Sequence, residues 1–190
     1  MKRYKVKDLM VPISEYCLIS EEDSIFEAVS ALEKAQLEFD TTRYRHRAVL
    51  VQDAKKKIVG KLGQLDVLRS LEPKYEEMRE EGSGMKKFGF SRSFLLSMLE
   101  NYKLFDRPFD DICRKTGQEK VGKYMHRPTE GEYIDAEATL DEAIHLLVFG
   151  HHQSLLVTRD KDIVGILRLT DVFAAVFHAM KTCGLGGAEA

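Results

Sequence analysis

The sequence predicts an α+β protein. It consists of two β-α-β-β-α repeats packed as a pseudo-two-fold pair, with a helical insertion between them. Three observations lead there. The stretch Ile163-Val-Gly-Ile-Leu-Arg-Leu-Thr-Asp-Val172 runs from an apolar, β-prone segment into a helix that opens at Thr170-Asp171, and Ile58-Val-Gly-Lys-Leu-Gly-Gln-Leu-Asp-Val67 is an earlier copy. Gly60 and Gly165 are 105 residues apart, as are Asp66 and Asp171. Upstream, Val6-Lys-Asp-Leu-Met10 matches Val121-Gly-Lys-Tyr-Met125 at an offset of 115, which holds without a gap through Ser24–Val29 and Thr139–Ile144. Self-similarity in the same order at two places is the mark of internal duplication.

The elements follow in order. Cys17-Leu-Ile19 and Glu132-Tyr-Ile134 read as short first strands. Ser24 and Thr139 stand as N-caps with Glu27 and Glu142 three residues on, the Ser/Thr-x-x-Glu capping box that starts a helix. Ile25, Ala28, Val29 and Leu32, and likewise Leu140, Ala143, Ile144 and Leu147, recur at helical spacing. The second helix is expected to stop at Gly150 as a left-handed cap. Repeat one carries nine extra residues, a polar extension over about Gln36–Arg45, because the offset falls from 115 to 106 where His46-Arg-Ala-Val-Leu-Val51 meets His152-Gln-Ser-Leu-Leu-Val157. Polar turns at Gln52–Lys57 and Thr158–Asp162 lead to third strands, and closing helices start near Asp66 and Asp171. In those helices Val67, Leu68 and Leu71, and Val172, Val176 and Met180, share one face. The first crossover is expected to be parallel and the second and third strands antiparallel.

The boundaries are residues 1–72 for repeat one, 73–120 for the insertion, 121–181 for repeat two and 182–190 for a flexible tail. Pro73 ends the first closing helix, and Lys74–Glu81 is charged and runs into Gly82-Ser-Gly84. Ser93 is expected to cap a helix with Phe94, Leu95, Met98, Leu99, Tyr102 and Phe105 on a wide apolar face. A short helix over Asp106–Cys113 closes near Gly117. A segment this apolar is expected to bury its phenylalanines against the module or a partner chain.

Composition excludes several functions. The 190 residues are 44% hydrophobic and carry a net charge of −2, which gives no pull toward nucleic acid or membrane. No apolar run approaches the roughly 20 residues of a bilayer span, and the start lacks the apolar core of a signal peptide. Cys17, Cys113 and Cys183 are few and scattered, which points to reduced thiols and a cytoplasmic location. No nucleophile elbow, P-loop or His-Glu-x-x-His motif occurs, so no catalytic residue is assigned. His145, His151 and His152 have no cysteine or acidic partner at a familiar metal spacing, so no metal site is assigned either.

With these motifs the chain resembles the cystathionine-β-synthase (CBS) domain family, as a tandem pair of the Bateman type. The resemblance rests on Val-x-x-x-Met at each opening, Glu-Ala at 27–28 and 142–143, the His-led strands, and Gly-x-Leu-x-x-x-Asp-Val. It implies a regulatory module that does no chemistry, binds an adenine nucleotide (AMP, ADP or ATP) in clefts between the copies and signals to a protein effector in trans. It also implies a homodimer. The family signature Gly-h-h-Ser/Thr-x-x-Asp places the ribose acids at Asp66 and Asp171; its Ser/Thr position is Gly63 in copy one and Arg168 in copy two, both departures from the pattern. His46 and Arg47 match a basic pair used on phosphates, of which copy two keeps His152. Tyr133, Ile134 and Ser154 line the adenine slot of copy two, with Thr170 beside its acid; Leu18, Ile19 and Ala48 line that of copy one.

The residues themselves leave alternatives open. Asp66 and Asp171 equally suit helix capping, Arg168 suits either a phosphate contact or a solvated strand end, and His46 and His152 suit half-exposed strand starts. Copy two is the preferred site. The alternative is an interaction scaffold with a degenerate, empty cleft, followed distantly by a metal-dependent enzyme built on the histidines.

Overall fold

The computed structural model describes residues 4–38, 46–81 and 90–182. The chain opens with a single helical turn, α1 (Val6–Leu9), and a two-residue strand, β1 (Val11–Pro12). Then come β2 (Leu18–Ser20), α2 (Ile25–Glu38), β3 (Ala48–Gln52), β4 (Ile58–Gly63) and α3 (Gln64–Ser70). The insertion holds α4 (Lys74–Glu81), α5 (Arg92–Asn101) and α6 (Phe109–Gln118). A second opening turn, α7 (Val121–Tyr124), precedes β5 (Tyr133–Asp135), α8 (Leu140–Phe149), β6 (Ser154–Arg159), β7 (Asp162–Arg168) and α9 (Leu169–Met180). The expected strand, helix, strand, strand, helix order therefore occurs twice.

The local chemistry explains most of these elements. Ser24 and Glu27 close the expected capping box on α2: the Glu27 N–H donates to Ser24 Oγ at 3.2 Å and the Ser24 N–H to Glu27 Oε2 at 2.7 Å. Thr139 holds the N-cap backbone of α8, but its hydroxyl makes no cap bond. β2 pairs parallel to β3, with Ile19 opposite Val51, and β3 antiparallel to β4. β5, β6 and β7 repeat this, with Ile134 opposite Val157. In the first hairpin Asp53 Oδ1 accepts the N–H groups of Lys55 and Lys57 at 2.8 and 2.9 Å, and Lys56 takes φ 63°.

Gly150 is not a left-handed cap. Its φ is −80°, and His151 takes the left-handed position at φ 52°. The glycine is needed for another reason, since a Cβ there would lie 2.1 Å from His152 Nε2. Part of the extra length in repeat one becomes helix, because α2 runs to Glu38; the remainder of the Gln36–Arg45 extension lies outside the described residues. So do Gly82–Gly84, Cys183 and the rest of the tail beyond Thr182.

The chain forms two compact units that do not follow the sequence repeats at their openings. The first unit contains residues 18–37, 46–81 and 90–126, and the second contains 4–17 and 127–182. Each unit thus takes its opening turn from the segment that introduces the other repeat. The bonds are equivalent on both sides. Val6 and Lys7 N–H donate to the Ala138 and Ala136 carbonyls at 3.0 and 2.9 Å. Val121 and Gly122 N–H donate to those of Asp23 and Glu21, both at 2.9 Å. β1 then adds antiparallel to β7, with Val11 opposite Ile166, and His126 adds to Lys61 through a reciprocal pair of bonds at 2.9 and 3.0 Å. Pro12, which has no N–H, is tolerated because β1 is an edge strand.

The repeated methionine and glycine belong to the same arrangement. A Cβ on Gly165 would sit 2.7 Å from the Val11 carbonyl and 2.8 Å from Met10 Sδ. A Cβ on Gly60 would sit 2.9 Å from the His126 carbonyl and 2.8 Å from Met125 Sδ. Backbone and thioether approach a strand where only glycine leaves room. Val6 is fully buried in the second unit with Ile134, Leu140, Leu155, Leu167 and Val172.

The insertion is tied to the first unit by polar groups. The Glu72 carboxylate accepts the Phe105 N–H at 2.8 Å, Thr116 Oγ1 donates to the Ser70 carbonyl at 3.3 Å, and Lys74 Nζ donates to the Lys103 carbonyl at 2.9 Å. Ser91, not Ser93, caps α5: it has the extended backbone of a cap and accepts the Phe94 N–H at 3.2 Å, while Ser93 is already helical. α6 continues through Gly117, whose neighbour across the helix is Phe26. Among the described residues nothing buries the apolar face of α5, where Phe94, Leu95, Leu99 and Tyr102 are all exposed.

Replacing Gly165 with alanine is expected to lower unfolding free energy by about 1–3 kcal/mol, the usual range for overpacking. Adding Met10→Ala restores only part of it, because the Val11 carbonyl remains in the way. Urea unfolding of the single and double variants checks both statements.

Candidate functional site

Each unit presents one turn where a strand feeds a helix and an acid follows three residues later. In the second unit β7 ends at Arg168, which is the N-cap of α9, and Asp171 is the third helical residue. In the first, β4 ends at Gly63 as the N-cap of α3, with Asp66 in the same place. The helices thus begin at Leu169 and Gln64, two residues before the acids from which the sequence expects them to start. The backbone is alike in both: the Gly63 N–H donates to Asp66 Oδ2 at 2.9 Å, and the Arg168 N–H to Asp171 Oδ2 at 3.2 Å. A carboxylate facing the first turn also meets the positive end of the helix dipole. Both acids therefore cap their helices.

The side chains around the two acids differ. Arg168 folds back on Asp171 as a fork, with Nε 2.7 Å from Oδ2 and Nη2 2.5 Å from Oδ1. The two side chains are 8% and 14% exposed. Arg168 is therefore not a solvated strand end. In the first unit Gly63 contributes no side chain, and the nearest atom to a Cβ built there is Asp66 Oδ2 at 3.4 Å. Asp66 Oδ1 instead accepts from Arg69 Nη1 at 3.0 Å; Arg69 is 37% exposed and Asp66 is 14% exposed.

The other expected site residues fall on the same strands. Ser154 is buried directly opposite Arg168 in the β6–β7 register. Tyr133, exposed, and Ile134, buried, lie on β5, opposite Leu156 and Val157 of β6. Thr170 is half-buried in the first turn of α9. His152 is half-buried just before β6, and its N–H donates to the Leu147 carbonyl at 3.0 Å. In the first unit Ala48 pairs with Gly63 across the hairpin, Ile19 is buried and Leu18 is exposed. Arg47 is exposed, and its carbonyl accepts the Gln64 N–H at 3.2 Å. His46 departs from expectation. It is 1% exposed rather than half-exposed, and its carbonyl accepts Gln36 Nε2 at 2.6 Å.

Tyr16 was not anticipated. It ends a short 3₁₀ turn, Ile13–Glu15, that lies against β7, and is 7% exposed. Burial pushes its phenol up to about 12, with Arg168 lowering it and Asp171 raising it. The ring thus lies within electrostatic reach of the Arg168–Asp171 pair. The offset of 115 aligns it with Gly131, so the duplication gives no sign of it.

Among the described residues no cluster of His, Cys, Asp or Glu is arranged for a metal ion. A cavity of about 410 Å³ in the first unit lies at the other end of α3, lined by Glu72, Lys74, Arg107, Lys115 and Thr116 rather than by Asp66.

Residues 121–178 match the CBS domain family. The second repeat is thus similar to the CBS domain. Solved structures extend the likeness to the whole chain at the level of fold. CBSX2 from Arabidopsis thaliana, a CBS-pair protein, is 18% identical with a TM-score of 0.59, covering 94% of this chain and 97% of that one. A structure of CBSX2 in complex with AMP is 19% identical with a TM-score of 0.57, covering 93% and 98%. A CBS-domain containing protein from Agrobacterium tumefaciens is 16% identical with a TM-score of 0.56, covering 90% and 92%. No curated protein sequence matches the chain. The fold is that of tandem CBS-pair structures, and the two strand-to-helix turns are equivalent parts of its two repeats.

Because the folded pKa of Tyr16 lies above its ordinary value of 10.0, the stabilisation it carries is whole below about pH 10 and is lost as pH rises toward about 12. A tyrosinate-absorbance titration is expected to show one ionisation near pH 12, absent in Tyr16→Phe.

Proposed function

We propose that this CBS pair is a regulatory module that senses an adenine nucleotide and passes its occupancy to a partner protein. The carrying observation is the repeated strand-to-helix turn with a carboxylate held at its mouth. An ionised carboxylate offers two acceptor oxygens to the vicinal hydroxyls of a ribose. In the second repeat Asp171, Thr170, Ser154 and Tyr133 gather at the ends of adjacent strands. In the first, Asp66 and Ala48 do so, with exposed Arg47 next to them as a cation for phosphate. The AMP complex of CBSX2, which shares the fold, supports AMP as the first ligand to try. The module is proposed to be non-catalytic and to need no cofactor. The free thiols of Cys17 and Cys113 suit a reducing compartment such as the cytoplasm. No described helix is long and apolar enough to cross a membrane.

A homodimer belongs to the same reading. The closing helices expose Leu65 and Leu68 on α3 and Phe173, Phe177 and Met180 on α9, and a second copy is the occupant that would cover these faces. The exposed face of α5 favours a second reading, an interaction scaffold in which the insertion is the docking surface and the acids serve only as caps.

A melting series with AMP, ADP and ATP separates the two readings. A ligand near 100 times its dissociation constant adds about 2.7 kcal/mol, or roughly 5–10 °C for a chain of this size. No shift at millimolar concentration in a folded sample favours the scaffold. Light scattering after size exclusion is expected to give a dimer that Phe173→Glu/Phe177→Glu reduces to a monomer.

A further inference from the structure

The duplicated turns have the same backbone and the same acid but different residues at the N-cap, and this has a chemical consequence. We propose that Arg168 closes the second repeat's acid to ligand, leaving Asp66 as the one nucleotide-binding acid of the chain. The inference rests on the nucleotide reading above and assigns which repeat carries it.

The geometry around Asp171 is that of an occupied site. A carboxylate has about four lone-pair positions. The Arg168 backbone N–H and Nε both reach Oδ2, at 3.2 and 2.7 Å, and Nη2 reaches Oδ1 at 2.5 Å. The guanidinium presents two parallel donors to the two oxygens, just as a vicinal diol would. The fork is charge-assisted and therefore outcompetes two neutral hydroxyls. Burial makes the exchange still less favourable. Arg168 is almost wholly shielded, so a ribose would have to break a buried, charge-assisted pair to reach the acid. Tyr16 and Ser154 are buried beside or opposite Arg168 and leave the guanidinium enclosed.

Asp66 carries no such plug. Gly63 has no side chain, and the space where one would start meets nothing closer than 3.4 Å. Its Oδ1 is held by one Arg69 nitrogen at 3.0 Å, from a side chain more than a third exposed. A partly solvated arginine with one bond can swing into water at little cost. The exposed Arg47 is then free to face a phosphate. The first repeat is thus the open one, against the sequence expectation that favoured the second.

Isothermal titration with AMP tests this on the full chain, with Asp66→Asn, Asp171→Asn and Arg168→Thr. The expected result is one AMP per chain in the wild type and in Asp171→Asn, none in Asp66→Asn, and two in Arg168→Thr. Arg168→Lys keeps the charge but loses the fork, and serves if the threonine variant does not fold; it is expected to admit a second, weaker AMP. Two AMP per chain in the wild type, or binding abolished by Asp171→Asn and kept by Asp66→Asn, overturns the closure while leaving the sensing module intact. No AMP, ADP or ATP bound by any folded variant overturns the sensing module itself, and the closure with it.

Discussion

A methionine and a carbonyl oxygen laid against bare glycine hold each unit of this chain closed. Met10 and the Val11 carbonyl cover Gly165, and Met125 and the His126 carbonyl cover Gly60. The contact is tight enough that even a methyl group would have to displace backbone on the covering side. It fixes the register of β1 on β7 and of His126 on β4, and with it the depth to which Val6 and Val121 enter their cores. Each opening turn is covalently part of the run that leads into the other repeat. Each sheet edge is therefore completed by a segment that lies outside its own repeat in sequence. A β-α-β-β-α unit of this size has little core to spare, and the borrowed turn adds a fully buried valine to each, Val6 and Val121.

Much of the fold was legible because its signals are local. Period, capping and offset give the ten repeated elements, and the parallel and antiparallel pairings follow from loop length. What was not legible depends on which surfaces meet. The offset of 115 shows that Met10 and Met125 correspond, but not that each lies over the glycine of the opposite repeat. Gly150 reads as a left-handed cap because most helix-ending glycines are; only the position of the His152 ring shows that its missing side chain, not its φ, is what matters. Ser93 and Ser91 are equally good caps as residue types, and the choice between them depends on where the backbone leaves the extended region.

The candidate site shows the same division. Asp66 and Asp171 follow from motif spacing, and their shared bond to the N-cap N–H confirms that both cap their helices. Their difference in environment was visible only as an oddity, a glycine and an arginine where the CBS signature has a hydroxyl. The sequence allowed Arg168 to reach outward to a phosphate. The structure turns it inward, since the residue at an N-cap lies three positions from the acid on the same side of the first turn, within reach of its fork. His46 misled in the opposite way. A polar residue at a strand start reads as surface, but this one lies under α2, with Gln36 bonded to its carbonyl. Tyr16 gave no signal because its counterpart is Gly131, and a residue unique to one copy leaves no trace in a duplication.

Two copies under the same folding constraint need not keep the same surface chemistry. The glycine under the methionine and the acid at the N3 position both serve the fold of the unit in each copy, one by leaving room and one by capping a helix. The N-cap residue is not so constrained, because its backbone N–H already satisfies the acid whether its side chain is hydrogen or guanidinium. A glycine there leaves Asp66 with one half-solvated partner, and an arginine gives Asp171 a buried one. The same capping geometry therefore supports a carboxylate that can exchange its partner and a carboxylate that cannot. The acid caps its helix in both repeats, and the residue three positions earlier separates their capacities for a ligand.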